Sequence, residues 1–299
     1  MGTNPLGGLE SLARDTTAAL RRGRTYAIAV REAVGIAVNV VTYPLGILDE
    51  ALDHAPERRH AVHPVRDSRF FASPAAFDVP VLLVHGYAHN RSGYLLLRNR
   101  LRRHGFANLY TLNYNALVQD IPAISQRLAD RVECICAETH QPFVHLVGHS
   151  LGGIVARYYV QRLGGAERVL RAITIGSPHN GTLSASLLAF LGPTARQLAW
   201  NSALIRSLNT RIEPTPVQWT SIWSSSDELV VPAESARLCP TAFRAENLPI
   251  ANQGHMSLLV SPRVMDIVVD RLGDIDAHPR LQSERRSTLP PTGDANHAP

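Results

Sequence analysis

A serine between two glycines follows an apolar run near the middle of this chain. Residues 143–147 are mostly apolar, and residues 148–152 read Gly-His-Ser-Leu-Gly, with Ser150 at the centre. Such a pattern turns a strand sharply into a helix, with the serine at the apex in a strained backbone conformation and no room for larger flanking residues. Residues 151–163 then have the composition of a helix that ends at a glycine pair. This order favours a nucleophilic serine over the alternative, a glycine-rich turn that only closes a buried strand.

A serine hydroxyl needs a histidine base, and the histidine needs a carboxylate that orients it. In architectures with this type of turn, the acid and then the histidine follow the serine along the chain. Asp227 lies in a polar loop after a strand-like stretch, with Glu228 as the neighbour that could replace it, and His255 lies in a polar turn before a helical stretch. We therefore predict a triad of Ser150, Asp227 and His255. The alternatives are an ordinary turn carboxylate for Asp227 and a locally bonded helix-start residue for His255.

An oxyanion hole needs two N–H donors that point at the developing negative charge. One is expected from Leu151, the residue after the serine. The other is expected from Tyr87, because residues 79–87 read as a buried strand and its exit, where Gly86 allows a tight turn. The side chain of His149, although next to the serine, is expected to point away from the site.

These stretches resemble the α/β-hydrolase superfamily and, more narrowly, bacterial triacylglycerol lipases and esterases. The resemblance implies the α/β-hydrolase fold, a lid over the site and an ester substrate, but it does not fix the acyl chain or the head group. No calcium site is expected, because no acidic residue closely follows the histidine. The resemblance covers residues 78–273 and rests on residues 84–87, 148–153, 175–182, 226–232 and 254–255.

Strands and helices alternate through the middle of the chain, which predicts an α/β fold with a mostly parallel sheet and helices on both faces. The predicted strands are 80–86, 108–114, 143–149, 169–176, 217–223 and a stretch near 240–246, and the predicted helices are 92–104, 120–140, 151–163 and 256–272. A short lid is expected at about 183–210. Its apolar residues fit either a cover over an acyl pocket or a pair of helices packed on the core.

Three parts of the chain are expected to differ in structure. Residues 1–77 are predicted to form a helical extension and a linker, residues 78–273 the catalytic domain, and residues 274–299, which are polar and rich in proline, a disordered tail. The extension is apolar but interrupted by Arg31 and Glu32, so it fits neither a signal peptide nor a membrane span of about 20 apolar residues. The extension fits equally well a helix packed on the core and a helix on a membrane surface. We therefore expect a cytoplasmic protein, and a cytoplasmic protein with peripheral membrane contact is the alternative.

Charge and cysteine content exclude several classes of protein. The net charge of +5 comes from an excess of arginine, with no lysine in the chain, and no nucleic-acid recognition motif accompanies it. Three cysteines do not make a disulfide framework or a zinc site, and no metal or cofactor is expected. The sequence therefore favours a serine ester hydrolase that acts on acyl esters. An acyltransferase with the same triad and a non-catalytic scaffold on the same fold remain the alternatives.

Overall fold

The computed structural model describes residues 5–48, 74–87, 89–210, 213–239 and 242–274. In these residues six parallel strands form one sheet. The strand order is β2-β1-β3-β4-β5-β6. The chain leaves β1 toward β2 and returns to pair β3 on the other side of β1, so the carboxyl ends of β1 and β3 meet at the switch point where such sheets place their sites. The strands are β1 (Val81–Val84), β2 (Leu109–Leu112), β3 (Val144–His149), β4 (Val169–Ile175), β5 (Gln218–Trp223) and β6 (Arg244–Pro249).

Helices cover both faces of this sheet, because successive strand residues point to opposite sides. Leu146 of β3 packs with the cluster that includes α3 and α4, and Val147 packs with the cluster that includes α2, α8 and α9. The helices are α1 (Pro5–Leu48), α2 (Leu95–Arg103), α3 (Ile121–Thr139), α4 (Leu151–Arg162), α5 (Leu183–Leu187), α6 (Pro193–Leu198), α7 (Ala203–Asn209), α8 (Ser257–Val260) and α9 (Pro262–Gly273). The predicted fold class is confirmed.

Two predicted elements differ from the structure. The strand expected near 240–246 lies at Arg244–Pro249, because it is the edge strand, and its half-exposed polar residues give no apolar pattern that marks its limits. The helix expected at 256–272 is divided into α8 and α9. Pro262 has no N–H to donate, so the first helix ends and the second begins with this proline in its first turn.

The N-terminal helix α1 packs one face against the α/β part of the chain. The Asn90 side chain donates to the Tyr43 carbonyl (2.9 Å), and the Arg91 side chain donates to the Gly46 carbonyl (2.9 Å). The helix comes so close to α8 that a Cβ atom at Gly35 would lie 2.7 Å from the Ser257 nitrogen. The alternative of a helix packed on the core therefore holds for this face.

The other face of α1 is apolar and exposed. Contrary to the expectation from the sequence, the stretch Thr25–Gly46 is long and apolar enough to cross a membrane by length and composition, and 17% of its 18-residue apolar window is buried. The exposed residues include Tyr26 (74%), Val40 (66%) and Val41 (75%). The linker predicted within residues 1–77 lies mostly, and the C-terminal tail almost entirely, outside the described residues.

Candidate active site

Ser150 occupies a strained turn between β3 and α4. Its φ is 53° and its ψ is −120°, and its N–H donates to the Ile175 carbonyl (2.8 Å). The flanking glycines are required by contact, since a Cβ atom at Gly152 would lie 2.0 Å from the Val84 carbonyl oxygen, and one at Gly148 would lie 2.5 Å from the Gly152 carbonyl carbon. The serine side chain is thus held at the carboxyl end of the sheet, as the glycine spacing predicts.

Asp227 and His255 form a buried pair. The Oδ2 atom of Asp227 lies 2.8 Å from Nδ1 of His255, and the two side chains are 2% and 4% exposed. The Oδ1 atom of Asp227 accepts from the backbone N–H groups of Leu229 and Val230, both at 2.9 Å. The Asp227 carboxylate thus accepts three hydrogen bonds, two from the backbone and one from His255. Because the carboxylate accepts, the ring proton of His255 lies on Nδ1. The Nε2 atom is then the nitrogen that can take up a proton.

Burial and the neighbouring carboxylate act in opposite directions on His255. Burial is the largest single effect and lowers the pKa of the imidazole. The charge and hydrogen bond of Asp227, together with the smaller effects of Glu228 and Glu32, raise the pKa, and the net shift is upward from the ordinary value. A base with a raised pKa accepts a proton more readily from a hydroxyl group. It also becomes protonated, and therefore unavailable as a base, at a higher pH.

Gly176 leaves room for this pair, and Thr182 fixes its loop. Gly176 has a φ of +56°, and a Cβ atom there would lie 3.2 Å from Oδ2 of Asp227 and 3.4 Å from Nδ1 of His255. The Thr182 hydroxyl donates to the Leu229 carbonyl (2.8 Å) and accepts from the Val231 N–H (2.9 Å). The stretch 175–182, one of those that carried the resemblance, thus holds the loop that carries Asp227.

The segment that carries the Tyr87 N–H passes directly against the serine. A Cβ atom at Gly86 would lie 3.1 Å from the Ser150 Cβ. The ring of His85 stacks on Tyr114 with 4.0 Å between the centroids, accepts from the Tyr114 N–H at Nε2 (3.3 Å) and donates from Nδ1 to the Gly86 carbonyl (2.8 Å). Burial lowers the pKa of His85 to about 4, which keeps this ring neutral.

Leu151 is the first residue of α4 and follows Ser150 directly. The structure therefore brings together the segments of all five predicted site residues at the carboxyl ends of β1, β3, β5 and β6. Ser150 and Leu151 come from the strained turn, Tyr87 from the loop after β1, Asp227 from the loop after β5 and His255 from the loop after β6. Their roles in a reaction stay predictions.

His149 does not point away from the site, and that expectation was wrong. Its ring centroid lies 4.7 Å from that of His255, and its Nε2 atom lies 3.3 Å from the His255 carbonyl oxygen. Strand geometry explains the error, because Val147 faces the α8 side of the sheet and the residue two positions later faces the same side. Counting from the buried strand residues would have placed His149 correctly.

Two glutamates also reach the histidine loop. Glu228 accepts from the backbone N–H of His255, at 3.3 Å to each oxygen, so it does not take the place of Asp227 at the ring. Glu32 of α1 accepts from the N–H groups of Met256 (2.7 Å) and Ser257 (2.9 Å). The only sequence signal for Glu32 is an acidic residue within an apolar helix.

The segment predicted as a lid contacts both loops of the site. The Tyr87 hydroxyl donates to the Leu191 carbonyl (3.3 Å), and the Leu183 N–H donates to the Val231 carbonyl (2.9 Å). Its apolar side chains are not all packed on the core, since Leu187 is 80% and Phe190 77% exposed. The segment therefore places apolar surface in solvent beside the loops that carry Tyr87 and Asp227.

Parts of this chain are similar to known acyl hydrolases. A family model described as palmitoyl protein thioesterase matches residues 80–218. A triacylglycerol lipase of Pseudarthrobacter phenanthrenivorans is 31% identical over 116 residues, which cover 36% of this chain and 35% of that protein. The matched segment thus spans about a third of the curated relative.

Solved structures of lipases share the fold. Lipase B of Aspergillus fumigatus has a TM-score of 0.58 and 24% identity, with 65% of this chain and 52% of that chain covered. Lipase BlEst2 of Bacillus licheniformis in its mature form has a TM-score of 0.57 and 18% identity, with 68% and 94% covered. The parallel sheet, the serine turn at its switch point and these likenesses together show that the chain has the α/β-hydrolase fold and is similar, over part of its length, to lipases and a thioesterase family.

Proposed function

We propose that this protein hydrolyses acyl esters through Ser150, His255 and Asp227. The observation that carries the proposal is the buried 2.8 Å contact between Asp227 and His255, whose two loops lie at the same end of the sheet as a serine held at a φ of 53°. A scaffold without catalytic function would not need a strained serine, the glycines Gly148 and Gly152 that make room for its turn, and a buried acid–base pair. The names of the relatives support an acyl group as the common part of the substrate.

In this mechanism the Ser150 hydroxyl attacks the acyl carbonyl carbon while Nε2 of His255 takes up the hydroxyl proton. The N–H groups of Tyr87 and Leu151 stabilise the oxyanion of the tetrahedral intermediate. The intermediate collapses to an acyl-serine, and His255 gives its proton to the leaving alcohol. Water then attacks the acyl-serine with His255 again as the base, which releases the acid and restores the serine.

Thioesters are a second candidate substrate. The family model described as palmitoyl protein thioesterase covers residues 80–218, which include Ser150 and both predicted oxyanion donors. The same residues serve both reactions, because the attacked atom is a carbonyl carbon in each case and only the leaving group changes from an alcohol to a thiol.

We also propose that the protein works at a lipid surface, as a cytoplasmic enzyme with peripheral membrane contact. The exposed face of α1 and the segment 183–191 support this, because both present large apolar side chains to solvent. Contiguous exposed apolar surface of this kind is typical of membrane or protein interaction sites.

The proposal is tested with p-nitrophenyl esters and acyl-coenzyme A thioesters of increasing chain length, with wild type and Ser150→Ala in parallel. We expect hydrolysis by wild type and a loss on the order of 10⁴-fold or more in kcat for the variant. A series with added alcohol separates hydrolysis from acyl transfer to that acceptor. Folded wild type that turns over neither class, with and without lipid vesicles, would contradict the proposal.

A further inference from the structure

We propose that Glu32 of the N-terminal helix is a positioning residue for His255, which makes α1 a working part of the active site. The inference builds on the proposed triad and concerns a residue outside the domain that the sequence assigns to catalysis. It rests on the hydrogen bonds that reach the histidine loop from α1 and on the close approach of two backbones.

Backbone N–H groups on successive residues of the histidine loop are held by glutamate side chains. The His255 N–H donates to Glu228, and the next two N–H groups, of Met256 and Ser257, donate to the two separate oxygens of Glu32 at 2.7 and 2.9 Å. The ring of His255 is held by Asp227. The orientation of the base therefore depends on three carboxyl groups, and one of them comes from α1.

The glycines around this contact show that it is tightly fitted. A Cβ atom at Gly254 would lie 2.3 Å from Oε2 of Glu32 and 2.8 Å from Oε2 of Glu228. A Cβ atom at Gly35, one helical turn after Glu32, would lie 2.7 Å from the Ser257 nitrogen. Glycine at both positions lets the carboxyl groups and the helix backbone approach the loop directly.

Glu32 also acts on Glu228, the other glutamate of this loop. Burial, followed by the hydrogen bond to Glu32, raises the pKa of Glu228 to about 7. The two glutamates therefore interact with each other as well as with the histidine loop.

The charge of Glu32 also acts on the base. It raises the pKa of His255, although less than Asp227 does, while burial lowers it. Three further titratable groups lie close enough to interact by charge: Asp227 acts on the pKa of Glu228, and His149 and His89 interact with His255. Removal of the Glu32 charge should therefore both loosen the loop and lower the pKa of His255, whereas a helix anchor without a role in the site would affect stability alone.

The test compares Glu32→Gln with wild type, using the full chain and a short, soluble ester. We expect kcat to fall on the order of 10-fold or more with little change in KM, because a displaced base slows the chemical step and leaves substrate contacts intact. The acid limb of the pH profile should move to lower pH. Glu133 on α3 forms an exposed ion pair with Arg168. Glu133→Gln removes the same charge there and should match wild type in kcat and in the acid limb of the pH profile.

Glu32→Asp keeps the inference testable if Glu32→Gln does not fold. It keeps the charge but shortens the side chain by one methylene group, so the carboxyl group can no longer reach both the Met256 and the Ser257 N–H groups as it does in wild type. We expect kcat to fall with little change in KM, and a kcat equal to that of wild type would overturn the positioning role.

Titration of the His255 ring by NMR, in protein labelled at histidine, separates failure of this inference from failure of the proposed hydrolysis. It does not depend on turnover. A lower His255 pKa in Glu32→Gln supports the positioning role even if no ester is hydrolysed. An unchanged His255 pKa together with an unchanged kcat would overturn it.

Discussion

Asp227 holds His255 through one carboxylate oxygen and its own loop through the other. Oδ2 lies 2.8 Å from the histidine Nδ1, and Oδ1 accepts the N–H groups of Leu229 and Val230. The orientation of the His255 ring is therefore fixed by the backbone of the loop after β5. This arrangement gives the first prediction.

Asp227→Asn should lower kcat on the order of 10⁴-fold, because an amide favours the wrong tautomer of His255 and does not stabilise its protonated form. Loss of the carboxylate charge also removes the main cause that raises the pKa of His255, so any remaining activity should show its acid limb at lower pH. Steady-state kinetics across a pH series checks both effects. Asp270→Asn, an exposed change on α9, is the control, and equal kcat values in the two variants would contradict the assignment.

Gly176→Ala should cost both stability and activity. Its φ of +56° disfavours a side chain by about 1 kcal/mol, and the new methyl group would press on Asp227 and His255. Gly164→Ala is a matched control, since Gly164 has a φ of +76° and a Cβ atom there would have nothing within 4 Å. Thermal unfolding should show similar losses for the two variants, and only Gly176→Ala should lose kcat. A comparable loss of kcat in Gly164→Ala would show that the effect comes from backbone strain alone.

The stability of the wild-type protein should fall as the pH rises through about 7, by more than that of Glu228→Gln. The pKa of Glu228 is raised from its ordinary value to about 7 in the folded protein, so folding favours the protonated form. This contribution is complete below the unfolded pKa and is lost as the pH rises through the folded pKa. His255 contributes in the same direction in both proteins. The charge of Glu228 also raises the pKa of His255, so its removal weakens the pH dependence through both groups. Denaturant unfolding across this pH range checks it, and parallel curves would contradict the prediction.

Val41→Asp should weaken binding to phosphatidylcholine vesicles and leave hydrolysis of a soluble ester unchanged. Val41 is 75% exposed on the apolar face of α1, so a charge there opposes burial in lipid without disturbing the packed face. Ala137→Asp adds the same charge to an exposed position of α3 and is the control. Sedimentation with vesicles measures the effect. Equal vesicle binding by wild type and both variants would rule out this face of α1 as the contact.

The fold was predictable because its signals are local. Buried strands such as β3 are apolar runs, and Gly148 and Gly152 mark the turn at Ser150 through a contact that any side chain would break. Asp227 and His255 followed from the chain order that the serine turn implies. The edge strand β6 was misplaced because its residues are half-exposed and polar.

The contribution of Glu32 could not be predicted in this way. It lies 224 positions before Met256, and the two are joined only by a hydrogen bond between elements distant in the chain. Within the sequence an acidic residue simply interrupts an apolar helix. The position of His149 was accessible in principle, since the alternation of strand residues places it on the side of Val147.

The most direct test of the account is covalent labelling of the serine by diethyl p-nitrophenyl phosphate. This reagent places a phosphoryl group on an activated serine and releases p-nitrophenolate, so the reaction is followed by absorbance and the modified peptide by mass spectrometry. The account predicts stoichiometric release and a single label on Ser150, with labelling abolished in His255→Ala. A label on another residue, or no label on folded wild-type protein, would contradict it.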